Sequence, residues 1–148
     1  MAGYKTVVVG TDGSPSSLRA VERAGALASG PDAKVIVATA YLPDEEDARA
    51  ADLLKDEGYK VHGNAPIYDN LREARERAKA AGATNIEERA VVGAPVDALV
   101  DLAEEVGADL LVVGNVGLNT IAGRLLGSVP ANVARKSKTD VLIVHTSG

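Results

Sequence analysis

The segment after the fourth apolar run of the chain carries glycines at a spacing that suits phosphate binding. Gly114 and Gly117 lie three residues apart, and Gly127 and Ser128 follow after nine intervening residues. Glycine lets backbone N–H groups approach a phosphate closely, and a serine before a helix offers an anion its hydroxyl and its N–H. No lysine lies between Gly114 and Val129, so the Walker pattern is absent. We expect backbone groups to hold a phosphate here; the alternative is a glycine-rich turn that binds nothing.

Further groups of the same loop would complete an anion site. Asn115 offers an N–H group beside the first glycine, and Gly127, Ser128 and Val129 supply the N-terminus of the next helix. The dipole of that helix favours anions at this end. Arg124 is the only cation of the loop, and it either screens a phosphate or faces solvent.

Strand and helix patterns alternate along the whole chain. Apolar or β-branched runs predict five strands, at Lys5–Val9, Lys34–Tyr41, Ile86–Val92, Asp109–Val113 and Asp140–His145. Amphipathic patterns with helix-start or helix-stop residues predict four helices, at Pro15–Ala28, Pro66–Ala81, Pro95–Val106 and Ser128–Ser137. Such alternation requires crossover connections. We expect a single α/β domain with a doubly wound, five-stranded parallel sheet in the order 3-2-1-4-5.

One segment, Leu42–Pro66, fits this pattern poorly, since it is long for a loop in a compact domain. Function, mobility or a short helix at Glu45–Leu54 are all compatible with it. Within it, Pro43–Glu57 holds seven acidic and two basic residues. We interpret this cluster as a solvated loop or helix rather than a metal site, because it lacks the ligand spacing of an EF-hand.

The predicted strand order places a crevice between the first and fourth strands. Ligands of such sheets bind outside the carboxyl ends of the strands, where the direction of winding reverses. The loop Gly10–Ser14 leaves the first strand there, and the glycine-rich loop leaves the fourth strand. We expect the two loops to face each other, and this convergence is the main reason to expect a ligand site.

Two residues near the crevice have chemistry that suits a nucleoside. Asp12, just after the first strand, can accept a hydrogen bond from a ribose hydroxyl or an adenine amino group. It can equally cap the following helix. Ala40, near the end of the second strand, leaves room for a flat base, although simple sheet packing also explains it.

The overall composition excludes several classes of protein. The 148 residues are 46% apolar but contain no Phe or Trp, which suits an aliphatic core of helices on a parallel sheet. A net charge of −5 argues against nucleic-acid binding, and the lack of cysteine excludes disulfide and zinc-thiolate roles. With no signal-peptide pattern and no apolar run near the roughly 20 residues of a membrane helix, we expect a cytoplasmic protein.

The chain resembles the universal stress protein family over its full length. The resemblance rests on the signature Gly-x2-Gly-x9-Gly-Ser, complete at the four positions given above, and on the opening Val-Val-Val-Gly-Thr-Asp-Gly-Ser at Val7–Ser14. It implies a flavodoxin-like or Rossmann-like domain over residues 1–148 that binds ATP or another adenine nucleotide in stress responses. By matching positions, Asp12 and Ala40 would hold the adenosine, and the loop the ribose and phosphates.

One departure from the family pattern bears on the ligand. Family members that hold triphosphates often carry His, Lys or Arg between and just after the first two glycines. This chain has uncharged residues there, namely Asn115, Val116, Leu118, Asn119 and Thr120. A triphosphate brings about four negative charges, which N–H groups and Arg124 neutralise poorly without Mg²⁺. We expect cyclic AMP or AMP to be tolerated or preferred over ATP, with Mg²⁺ needed only for ATP.

We expect a sensor or reservoir of a nucleotide rather than an enzyme. No general base is evident near the loop, which leaves at most slow ATP hydrolysis, and His62 and His145 are interpreted as structural or exposed. A phosphoacceptor receiver is excluded, since the third strand ends without aspartate. A flavin carrier is disfavoured, because Tyr41 is the only aromatic residue near the crevice. The alternative is an interaction module of the same fold with a vestigial loop.

The last strand predicts self-association. Val141–Val144 is apolar and would lie at a sheet edge, where unpaired backbone groups invite pairing with another chain. Two-fold pairing through this strand gives a closed homodimer. The family resemblance implies the same use of the last strand.

Overall fold

The structure is a computed structural model that describes residues 4–12, 14–41, 65–114, 120–121, 124–125 and 129–145. At residues 65–66, 120–121, 124–125 and 129–130 only the backbone is described. The segment Pro43–Glu57, the short helix considered at Glu45–Leu54 and His62 therefore lie outside the described residues.

All nine predicted elements are present, and their ends lie within one residue of the predicted ones. The strands are β1 Thr6–Gly10, β2 Lys34–Tyr41, β3 Ile86–Val92, β4 Leu110–Gly114, β5 Thr120–Ile121, β6 Arg124–Leu125 and β7 Asp140–Val144. The helices are α1 Pro15–Leu27, α2 Ala65–Ala80, α3 Pro95–Val106 and α4 Val129–Lys136. The short antiparallel pair β5–β6 was not predicted and lies inside the expected glycine-rich loop.

The main sheet has five parallel strands in the order β3-β2-β1-β4-β7. With β5 and β6 set aside, this is the predicted order 3-2-1-4-5. β1 and β4 are neighbours, and the chain winds from β1 toward β2 but from β4 toward β7. The reversal therefore lies between β1 and β4, as predicted.

The core consists of two layers, one on each face of the sheet. Val7 and Val9 of β1 pack with α1 and α2, whereas Val8 packs with α3 and α4, and all three valines are fully buried. This alternation explains why the central strands are apolar at every position. The edge strand β3 carries charged residues and is only partly buried.

Local signals set the helix ends. Ser14 is the N-cap of α1, accepting a hydrogen bond from the Ser17 N–H, and Pro15 is its first residue, as predicted. Gly107 ends α3 with φ +68°, a left-handed conformation that suits glycine. In the part of the chain that the structure describes, no helix is long and apolar enough to cross a membrane.

Candidate functional site

The register of the sheet brings three predicted site residues to its carboxyl edge, within one residue of the same level. Gly10 pairs with Ala38 of β2, so counting on two residues places Asp12 level with Ala40. Val9 pairs with Val112 of β4, so counting on in the same way places Thr11 level with Gly114. By this count Asp12 and Ala40 lie one residue beyond the level of Gly114, and all three residues belong to the carboxyl edge beside the point where the winding reverses.

Asp12 is exposed at this edge, and its carboxylate is oriented by the first turn of the following loop. Its Oδ1 accepts a hydrogen bond of 2.9 Å from the Ser14 N–H. This contact spans two residues and forms an Asx turn. Asp12 is therefore not the N-cap, a role that Ser14 holds, and among the described residues its Oδ2 has no hydrogen-bond partner. The turn thus engages one carboxylate oxygen of this exposed residue.

Ala40 is half-buried near the end of β2, where it pairs with Val91 of β3. Its side chain is a single methyl group, the smallest after glycine, as the role predicted beside a flat base requires. The neighbouring residue Tyr41 is also half-buried. Both observations agree with the role predicted for Ala40 without testing it.

Gly114 belongs to a strand, whereas the sequence predicts it in the loop that follows. The sequence pattern predicts it as the first loop residue, but it is the buried last residue of β4 and pairs with Val144 of β7. The strand has the predicted five residues but is shifted by one, because it begins at Leu110 and the Gly114 backbone continues the ladder with β7. It still borders the crevice between β1 and β4, since it is the last residue of β4 at the carboxyl edge.

The remaining predicted loop residues are described in part or not at all. Arg124 lies in β6 and pairs with Ile121 of β5, and Val129 is the first residue of α4. The side chains of both are outside the description. Asn115, Gly117, Gly127 and Ser128 also lie outside the described residues, so their roles stay predictions.

Sequence reasoning missed a group of buried hydroxyls directly beneath Asp12. Thr11, Ser17 and Thr39 are 1%, 0% and 6% exposed. Thr11 Oγ1 lies 2.8 Å from Ser17 Oγ, and Thr39 Oγ1 donates a hydrogen bond of 2.9 Å to the Thr11 carbonyl oxygen. The available signal was the presence of hydroxyl residues next to the ends of two otherwise aliphatic strands.

In the described part of the chain, the two groups with shifted pKa values, Tyr4 and Glu87, lie near the amino edge of the sheet, away from Asp12. A hydrogen bond to the Asp140 carboxylate raises the pKa of Tyr4, and the negative charge of Asp140 acts in the same direction. A hydrogen bond from Lys34 lowers the pKa of Glu87, against a smaller opposing effect of burial. Neither group takes part in the candidate site.

A groove of about 660 Å³ lies elsewhere, between α2 and the first residues of β3. Arg72, Arg75 and Lys79 line it, together with the acidic residues Glu76 and Glu88. Arg75 already forms an ion pair of 3.4 Å with Glu88, which cancels part of its positive charge. Among the described residues, no three His, Asp or Glu side chains converge closely enough to hold a metal ion.

Comparison with known proteins agrees with this architecture. The sequence profile of the universal stress protein family matches residues 3–145. Universal stress protein Rv1636 of Mycobacterium tuberculosis is 73% identical over 147 residues, which cover 99% of this chain and 100% of that protein.

Two solved structures are similar over nearly the whole chain. One is a crystal structure of a universal stress protein in complex with cAMP, with 68% identity, a TM-score of 0.76 and coverage of 99% of this chain and 100% of that one. The other is the universal stress protein of Archaeoglobus fulgidus in complex with dAMP, with 26% identity, a TM-score of 0.67 and coverage of 96% and 98%. With its fold, strand order and near-complete profile match, this chain belongs to the universal stress protein family.

Proposed function

We propose that this chain binds an adenine nucleotide at the carboxyl edge between β1 and β4, and serves as a sensor or reservoir of that nucleotide rather than as an enzyme. The observation that carries the proposal is the convergence of Asp12, Ala40 and Gly114 at the winding reversal, where such sheets bind ligands. Relatives whose structures contain cAMP and dAMP support the choice of an adenine nucleotide.

The described residues suit the nucleoside part of the ligand. Asp12 Oδ2 would accept a hydrogen bond from a ribose hydroxyl or from the adenine amino group, while Oδ1 stays bonded to the Ser14 N–H. The small side chain of Ala40 would leave room for the base at the end of β2. An ionised acceptor makes a stronger hydrogen bond than a neutral one, so Asp12 would contribute strongly to affinity.

The loop between β4 and α4 would hold the phosphate. In this proposal the N–H groups of its glycines and of Asn115, Ser128 and Val129 surround the anion, and Arg124 supplies the one positive charge. These N–H groups and a single arginine balance the charge of one phosphate group better than that of three. We therefore propose cAMP or AMP as the preferred ligand, with ATP bound only together with Mg²⁺.

Isothermal titration of the purified protein with cAMP, AMP and Mg-ATP tests this proposal. We expect cAMP or AMP to bind, and Asp12→Ala to weaken that binding by about tenfold or more, since a hydrogen bond to a charged group is lost. Asp32→Ala is the matched control, because it removes an exposed carboxylate from the loop before β2, at the opposite edge of the sheet.

Two results of that titration contradict the proposal. ATP bound about tenfold more tightly than both other nucleotides would contradict the predicted preference for low charge. Failure of all three nucleotides to bind would contradict nucleotide binding itself, and would favour the interaction module.

A further inference from the structure

The peptide bond that precedes Asp12 is held from both sides by buried hydroxyls. The carbonyl oxygen of Thr11 and the N–H of Asp12 belong to this one peptide group. Thr39 Oγ1 donates to the carbonyl oxygen at 2.9 Å, and the N–H donates to Ser17 Oγ at 3.3 Å. Ser17 and Thr39 come from different elements, α1 and β2, so the peptide plane is fixed relative to both.

The hydrogens of this network can be assigned by counting. Ser17 Oγ has a single hydrogen, and it donates that hydrogen to the Ser14 carbonyl oxygen at 3.0 Å. In the contact between Thr11 and Ser17, Thr11 Oγ1 must therefore be the donor. Ser17 Oγ then accepts from Thr11 and from the Asp12 N–H. The Ser17 hydroxyl thus donates one hydrogen bond and accepts two, which uses its one hydrogen and both of its lone pairs.

The network sets the direction in which the Asp12 side chain leaves the backbone. The Thr11 N–H is also bonded, to the Ala38 carbonyl oxygen at 2.9 Å, so the chain is pinned immediately before the clamped peptide. After it, the Asx turn from Oδ1 to the Ser14 N–H fixes the carboxylate. A peptide held at both of its polar atoms has little freedom to rotate, so Asp12 starts from one orientation before any ligand arrives.

We propose that Ser17 and Thr39 are positioning residues for ligand recognition, which act by presenting the Asp12 carboxylate to the nucleotide. The inference rests on the proposed function of the site. Neither hydroxyl is accessible to a ligand, since both residues are buried. Each therefore affects affinity indirectly, Thr39 through the Asp12 peptide and Ser17 through that peptide and through Ser14, whose N–H holds the Asp12 carboxylate. If the hydroxyls served stability alone, their loss would lower the melting temperature and leave the affinity unchanged.

Matched variants separate positioning from stability. Thr39→Val removes the hydroxyl with almost no change of shape, and Thr39→Ser restores it. Ser17→Ala deletes the second hydroxyl. Ile36→Val is the control, because it removes one methylene from a fully buried position of β2 that faces α3 and is expected to cost a similar amount of stability. Each variant is measured by titration with cAMP and by thermal unfolding, with the wild type and with Asp12→Ala.

We expect Thr39→Val and Ser17→Ala to weaken cAMP binding by about tenfold, and Thr39→Ser to stay within about threefold of the wild type. Ile36→Val should lower the melting temperature without changing the affinity. In the Asp12→Ala background the same hydroxyl deletions should change affinity by less than about twofold, because their effect passes through the missing carboxylate.

Several outcomes would overturn the inference. Wild-type affinity in Thr39→Val and Ser17→Ala would show that the hydroxyls serve stability only, and would leave the proposed function intact. An undiminished loss of affinity in the Asp12→Ala background would show that they act through another part of the site. Failure of the wild-type protein to bind cAMP, AMP or Mg-ATP would overturn the positioning role together with the proposed function. If Ser17→Ala does not fold, the comparison of Thr39→Val with Thr39→Ser still tests whether the hydroxyl affects affinity.

Discussion

At the scale of single residues, Asp12 combines an exposed carboxylate with a fully hydrogen-bonded peptide beneath it. Its Oδ1 is engaged by the Ser14 N–H, and buried hydroxyls of α1 and β2 hold its N–H and the preceding carbonyl. The sequence predicts the carboxylate from its place after a strand. It does not predict the hydroxyl network, because those contacts exist only once β2 lies beside the β1 end.

Ala40 tests whether space at the end of β2 is needed for the base. Ala40→Leu is expected to weaken binding of cAMP by more than about tenfold, since the larger side chain fills the place of the base. Titration of the purified variant measures the effect, and Ala80→Leu at the exposed end of α2 is the control. Unchanged affinity in Ala40→Leu would remove this residue from the site.

Glu87 gives the protein a pH dependence in acid. Hydrogen bonding to Lys34 lowers the pKa of Glu87 in the folded state, so its contribution to stability is present above the unfolded pKa of about 4.3 and is lost as the pH falls through the folded pKa. We expect the wild type to lose more stability than Glu87→Gln between pH 6 and about pH 3. Urea unfolding at both pH values measures this, and equal losses would show that the ion pair contributes nothing.

At the scale of elements, α1 and α2 pack so closely that one position excludes a side chain. A Cβ atom at Gly25 would lie 2.6 Å from the Ala78 carbonyl oxygen and 2.9 Å from its Cα atom. Both are backbone atoms, so neither can move away by a change of side-chain rotamer. The two helices cover the same face of the sheet, and the small residues at their contact let them approach.

Gly25→Ala is therefore expected to destabilise the fold by about 1–3 kcal/mol, because the helices must move apart to admit the methyl group. Chemical unfolding compares it with Gly30→Ala, where a Cβ meets nothing within 4 Å and a change of about 0.5 kcal/mol or less is expected. A stable Gly25→Ala variant would show that the contact between α1 and α2 is looser than described.

The main elements were predictable because their signals are local. Aliphatic runs predict β1, β2 and β4, and Ser14, Pro15 and Gly107 predict where helices begin and end. The pair β5–β6 was not predictable, since two-residue strands are too short to show a periodicity. The shift of β4 by one residue was missed for a related reason, because glycine carries no strand signal and Gly114 joins the ladder through pairing with Val144 of β7.

At the scale of the whole molecule, the two edges of the sheet differ. β3 forms one edge and carries ion pairs such as Arg89–Glu105, whereas β7 forms the other and is apolar from Val141 to Val144. Charged side chains protect an edge strand from pairing with another chain, and an apolar edge lacks that protection. The prediction of a homodimer through β7 rests on this contrast.

Sedimentation of Ile143→Lys tests that prediction. Ile143 is 41% exposed on β7, and we expect lysine there to convert a dimer into a monomer at micromolar concentration. Val92→Lys is the control, since Val92 is an apolar residue, 60% exposed, at the end of the opposite edge strand. A wild-type protein that sediments as a monomer at this concentration would refute the prediction.

The central claim is that an adenine nucleotide binds at the carboxyl edge between β1 and β4. Titration of the isotope-labelled protein with cAMP, followed by NMR of its backbone amides, tests the location directly. We predict that the largest shifts occur at Asp12, Ala40 and Gly114, which different elements bring to the same edge of the sheet. Shifts confined to the groove beside α2, around Arg75 and Lys79, would contradict the claim.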